Sequence, residues 1–118
     1  MPSLRLQRVQ ELLKRTVGEI LRRESSIEKH GLITVNNVKV TSDLHSAVVF
    51  ASILGSDQQK KRGTEWLDKK RKRLQGQLAR EVILKYSPEL KFIVGDTIHE
   101  GDRILEILDE LDQGSSQT

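Results

Sequence analysis

Five consecutive cations, Lys69 to Arg73, interrupt what would otherwise be one amphipathic helix, and this interruption constrains the fold of the chain most tightly. Leu67, Leu74, Leu78 and Val82 recur at helical spacing and form an apolar stripe. The core-side positions between Leu67 and Leu74 are Lys70 and Arg71. Burying unpaired cations is costly, so these two argue against one straight buried helix. The spacing predicts two helices meeting at a kink between Lys69 and Gly76. Arg62, Lys69, Lys72 and Arg73 fall within an exposed arc of about 100°, and a break lets Lys70 and Arg71 reach out beside them. Pro88 disfavours helix at Ser87, so the second helix is expected to stop near Tyr86. Leu90, Phe92 and Val94 then alternate as a strand.

Upstream, Leu6, Val9, Leu13, Val17 and Ile20 repeat at helical spacing over residues 4–23, with Ser3 as the N-cap. Arg8, Arg15 and Arg22 recur every seven residues and share the solvent side. Gly18 suggests close packing against a neighbour, and a polar connection runs from Ser25 to Gly31. Leu32–Val40 reads as a strand whose apolar phase changes from Ile33 and Val35 to Val38 and Val40. A period-two element cannot change face without an extra residue, which predicts a bulge at Asn36–Asn37. Thr41–Ser46 is turn chemistry, with Ser42 and Asp43 able to bond the backbone. Ala47–Leu54 is apolar almost throughout, as suits a central strand. Gly55 ends it, and Ser56 with Gln59 has the spacing of a capping box. Thr97 with Glu100 has the same spacing before a short amphipathic helix bearing Ile98, Leu105, Leu108 and Leu111.

The order is therefore helix, strand, strand, helix, helix, strand and a short C-terminal helix. The last two strands are joined through helices and should be parallel, by a right-handed crossover. This is an α+β domain with helices on one face of a three-stranded sheet. Residues 1–112 make one domain, and residues 113–118 have the composition of a disordered tail.

Charge points to a polyanion. Residues 1–88 carry 18 Lys and Arg against 9 Asp and Glu, whereas residues 89–118 carry 2 against 8. A cationic body and an acidic end suit a nucleic-acid binder whose acidic end turns away. With one Trp, one Tyr and two Phe, stacking on an aromatic platform is not expected, and phosphate and shape contacts should dominate. No cysteine is present, which excludes disulfides, thiolate metal sites and cysteine nucleophiles. His30, His45 and His99 share no helical ligand spacing, Asp43–His45–Ser46 reads as a turn, and no P-loop occurs, so no catalytic activity, cofactor or metal is expected. No apolar run is long enough for a membrane span and the N-terminus lacks a signal-type apolar region, so a cytoplasmic location is expected.

Two segments, GLITVNNVKVTSDLHSAVVFASILG and LKYSPELKFIVGDTIHEGDRI, together with RVQELLKRTVGEIL, resemble the ribosome-binding factor A family over about residues 5–111. Leu84, Lys85, Pro88, Glu89, Leu90, Phe92, Asp96, Gly101 and Ile104 fall on that family's pattern, with Thr97 where the family usually has Ser. The resemblance implies a KH-like type II fold and a bacterial, non-catalytic RNA-binding factor for ribosome biogenesis. Its implied partners are the small (30S) ribosomal subunit and the 16S rRNA precursor, in maturation and rRNA processing near the 5′ end. Neither a membrane nor a small-molecule substrate is implied, and the factor should act as a monomer. At the interhelical bend, where the family usually has Ala-x-Gly, an ungapped count from Pro88 places Lys70-Arg71-Lys72; Leu74-Gln75-Gly76 would supply the Gly but shorten the second helix. The ungapped register keeps Leu74, Leu78 and Val82 on the core side. The expected RNA-binding residues are Arg62, Lys69, Lys70, Arg71, Lys72, Arg73, Arg80 and Lys85, with Arg8 and Arg15 on the first helix. Two other readings stay open: a KH-like RNA binder outside the ribosome, and an adaptor that docks an acidic protein on the cationic helix.

Overall fold

A long N-terminal helix, α1 (Leu4–Glu24), lays Leu13, Val17, Ile20 and Leu21 into the core. The structure is a computed structural model and describes residues 4–83 and 88–95. A four-residue helix, α2 (Ile27–His30), follows within the segment read as a polar connection. Its start is a local device: Ser26 accepts a hydrogen bond from the Lys29 N–H through its side chain. Gly31 then turns the chain into the sheet at φ +73°, and a Cβ there would lie 2.8 Å from both Ile53 Cγ2 and the Leu54 carbonyl oxygen.

Strand β1 (Leu32–Val40) pairs antiparallel with β2 (Ser46–Leu54), and β2 pairs parallel with β3 (Glu89–Val94), giving the order β1-β2-β3 with β2 central. The register passes from Val35↔Ala51 to Asn37↔Phe50, so Asn36 is the extra residue of the expected bulge. Because of it, Ile33 and Val35 on one side, and Val38 and Val40 on the other, all reach the helix-side core. Beyond the bulge the outer edge of β1 is stoppered by side chains: Asn37 Oδ1 accepts from the Val38 N–H, and Gln10 Oε1 from the Val40 N–H. In the β1–β2 turn Asp43 accepts from the Thr41 hydroxyl and the His45 N–H. That network holds Leu44 at φ +64°, an unfavourable angle for a branched residue, where its side chain packs on the core.

Helix α3 (Asp57–Lys69) starts in the expected capping box, with Ser56 and Gln59 bonding each other's backbone N–H. Gln59 also donates to the Glu28 carbonyl and so fastens α3 to α2. Ser56→Ala should lower stability by about 0.5–2 kcal/mol, readable as a shifted urea midpoint with an unchanged slope. Helix α4 (Arg71–Glu81) buries Leu74 and Leu78, and Val82 behind it is buried as well. It ends well short of Tyr86: Val82 is already extended, at φ −126° and ψ 123°. Two β-branched residues in succession, Val82 and Ile83, favour that departure before Pro88 can impose one.

The helices cover the face of the sheet that carries Ala47, Val49, Ala51, Ile53 and Leu90, with Phe92 and Val94 packed against the same core. Val48 and Phe50 point to the other face and are buried too. Gly18 does not mediate the close packing that its presence suggested, since a Cβ there would meet nothing within 4 Å. Ser3 as N-cap, Lys85, the Thr97–Glu100 box, the C-terminal helix and the tail at 113–118 lie outside the described residues.

Candidate nucleic-acid interface

The break between α3 and α4 falls on a single residue. Lys70, at φ −97° and ψ 8°, is at once the last cap of α3 and the first of α4. Its N–H bonds the Trp66 carbonyl and its carbonyl accepts from the Leu74 N–H, both at 2.9 Å. Of the two registers read from sequence, the one at Lys70-Arg71-Lys72 is thus the observed one, achieved with no glycine.

Helix α4 begins with no side-chain cap and no acidic residue in its first turn, which is Arg71, Lys72 and Arg73. Three cations at the positive end of a helix dipole oppose folding. The same arrangement sets backbone N–H groups and side-chain cations together, which favours an incoming anion.

The five cations do not all point outwards. Lys69, Lys72 and Arg73 are exposed and Lys70 is half-buried. Arg71 folds back onto the start of β3, where it donates to the Leu90 carbonyl at 3.2 Å and approaches Glu89 at 3.4 Å. Gln75 completes this clasp by accepting from the Leu90 N–H at 3.1 Å. Arg73 reaches Glu24 of α1 at 3.5 Å but keeps most of its surface in solvent. Arg62 stands exposed on α3 and Arg80 on α4, while Arg8 and Arg15 are exposed on α1. Beneath the bend, a cleft of about 270 Å³ between α3 and β3 is lined by Thr64, Asp68, Arg71, Phe92 and Val94, among others.

A second feature beside the bend escaped the sequence reading. His30 and Trp66 stack with ring centroids 5.0 Å apart and planes 27° from parallel. Gly63 makes this contact possible, since a Cβ there would sit 2.6 Å from the His30 carbonyl oxygen. A basin of about 450 Å³ opens over the pair, lined by Lys29, His30, Arg62, Glu65, Trp66 and Lys69. Burial first, then the charges of Lys29 and Arg62, hold the His30 imidazole below its ordinary pKa. Its neutral Nδ1 accepts from the Ser26 N–H at 3.2 Å, which fixes the ring. The signal in sequence was the pairing of a lone Trp at one turn's distance from Arg62 and Lys69.

Among the described residues no three His, Asp or Glu side chains gather as a metal ion requires. No helix among them is long and apolar enough to cross a membrane.

The family model described as ribosome-binding factor A matches residues 5–108. Ribosome-binding factor A of Macrococcus caseolyticus is 33% identical over 111 residues, which cover 94% of this chain and 97% of the relative. Among solved structures, the crystal structure of ribosome-binding factor A from Thermus thermophilus superposes with a TM-score of 0.66 at 22% identity, covering 75% of this chain and 94% of that one. A homology model of the Thermus thermophilus factor, fitted into a cryo-EM map of its complex with the 30S subunit, gives a TM-score of 0.61 at 24% identity. It covers 71% of this chain and 88% of that one. At these identities the structural likeness shows the fold, here the KH-like α+β arrangement.

Proposed function

This chain belongs to the ribosome-binding factor A family, and from that membership we propose that it binds the small ribosomal subunit through the cationic bend between α3 and α4. The observation that carries the reading is the uncapped start of α4, whose first turn is wholly cationic and adjoins exposed Lys69. A protein with no polyanionic partner gains nothing from concentrating that charge at the wrong end of a helix dipole. Lys69, Lys72 and Arg73 are the primary phosphate contacts in this reading, with Lys70 and Arg62 beside them. Arg71 acts from behind, by fixing the bend on β3. Arg80, Lys85, Arg8 and Arg15 extend the basic surface.

The RNA met is the 16S rRNA precursor, and the factor assists maturation near its 5′ end without catalysing a reaction. It does so by binding one rRNA conformer in preference to others, which shifts their populations. The protein works as a cytoplasmic monomer. Support for the ribosomal assignment comes from the family and from the 30S complex into which the Thermus thermophilus homology model was fitted.

The test is co-sedimentation with purified small subunits, before and after nuclease treatment of the subunits. Binding should be lost with the rRNA and should fall with salt, with a log–log slope of about −0.7 to −0.9 per phosphate contact. For roughly three to five contacts, a threefold rise in salt weakens binding by about one to two orders of magnitude. Binding that survives nuclease, or that ignores salt, would replace this reading with a protein-docking one.

A further inference from the structure

The basin over His30 and Trp66 is not needed for a binder that meets only phosphates. Resting on the RNA-binding reading above, we propose that it is a nucleobase site: an unpaired nucleotide lays its base on the Trp66–His30 pair while its phosphates meet Arg62, Lys69 and Lys29.

The parts are held by separate elements. Arg62 and Lys69 stand on α3 four residues before and three after Trp66, so both flank the indole. Lys29 and His30 come from α2, which Gln59 and the close approach at Gly63 hold against α3. None of the three cations is in a salt bridge among the described residues, so each has its charge available to a phosphate. A basin of about 450 Å³ falls within the roughly 300–1,000 Å³ of small-ligand sites. His30 is uncharged at neutral pH, and its Nδ1 bond to Ser26 keeps the ring in the stack. Lys69 belongs to both basin and bend, so one RNA strand crossing the corner meets both. An acidic peptide would satisfy the cations but would leave the aromatic pair without a planar partner, and this favours RNA. The consequence is selectivity: the bend attracts any nucleic-acid backbone, whereas the basin accepts a base only where the strand is unpaired.

Trp66 is the only tryptophan in the chain, so its fluorescence reports directly on the site. The protein would be titrated at low salt with three probes: a single-stranded RNA of roughly 12 nucleotides, a blunt duplex of the same RNA, and inorganic polyphosphate. Binding would be followed independently by sedimentation. Single-stranded RNA should quench Trp66 in proportion to occupancy, while duplex and polyphosphate bind with little quenching. Trp66→Leu should weaken single-stranded RNA by about tenfold to a hundredfold and leave polyphosphate binding unchanged, and Trp66→Phe should recover most of the loss. Equal quenching by polyphosphate would overturn the inference, as would single-stranded RNA that sediments with the protein and leaves Trp66 unquenched. Either outcome leaves RNA binding at the bend intact. Failure of every RNA to bind would overturn the RNA-binding reading and this inference together. The probe comparison uses the wild-type protein, so a Trp66→Leu variant that does not fold leaves it decisive.

Discussion

A variant carrying Lys69→Glu, Lys72→Glu and Arg73→Glu is expected to lose its association with small ribosomal subunits, by at least about a hundredfold at low salt. Three favourable phosphate contacts become three repulsive ones at the corner that we propose meets the rRNA. Folding should survive. All three side chains are exposed, and exposed charges contribute about 0–1 kcal/mol each. Position adds a compensation: Lys72 and Arg73 lie in the first turn of α4, where a carboxylate is favoured by the helix dipole. That gain opposes the loss of the 3.5 Å pair between Arg73 and Glu24. Co-sedimentation and thermal unfolding of the same preparation decide the matter. A variant that still co-sediments at ordinary salt would move the binding site to Arg8 and Arg15 on α1. One that fails to melt cooperatively would show that the bend is a folding element.

The second large effect lies in the central strand. Val49 faces the helices with none of its surface exposed, and Phe50 faces the opposite way with 2% exposed. Val49→Asp places a carboxylate in the apolar helix-side core to which Val49 belongs. It should remove cooperative unfolding or lower stability by more than about 4 kcal/mol. Phe50→Ala should cost about 3–5 kcal/mol through the cavity it leaves. Chemical denaturation measures both. If either variant unfolded at the wild-type midpoint, the burial of that side chain would not contribute to the fold as described.

Much of this architecture could be read from residues because the signals were local. The change of apolar phase between Val35 and Val38 demanded one extra residue, and Asn36 supplies it. Ser56 with Gln59 made a capping box whose partners lie three residues apart. The break near Lys70 followed from the cost of burying two cations between Leu67 and Leu74. The misses arose where long-range contacts decide. Arg71 was expected to reach outwards, but the backbone of Leu90 lies 19 positions along the chain and offers an acceptor that spacing along one helix cannot reveal. The end of α4 was expected near Tyr86 because Pro88 is the strongest breaker in the segment, whereas the helix already ends at Glu81 and Val82 is extended. The His30–Trp66 stack depends on two elements meeting at Gly63, and composition alone argued against any aromatic surface.

Arg71 and Gln75 together hold both backbone polar groups of Leu90, one through its carbonyl and the other through its N–H. The corner bearing the cations is thereby braced by the edge of the sheet. Backbone ordering, at about 1–2 kcal/mol per residue, is a cost already met in folding for residues held in this way. In the contact proposed here, the long side chains of Lys69, Lys72 and Arg73 would give up freedom, about 0.5–1.5 kcal/mol each. The bend is in this sense preorganised: a phosphate backbone docking at the corner proposed above would meet a surface already shaped by these two hydrogen bonds to β3.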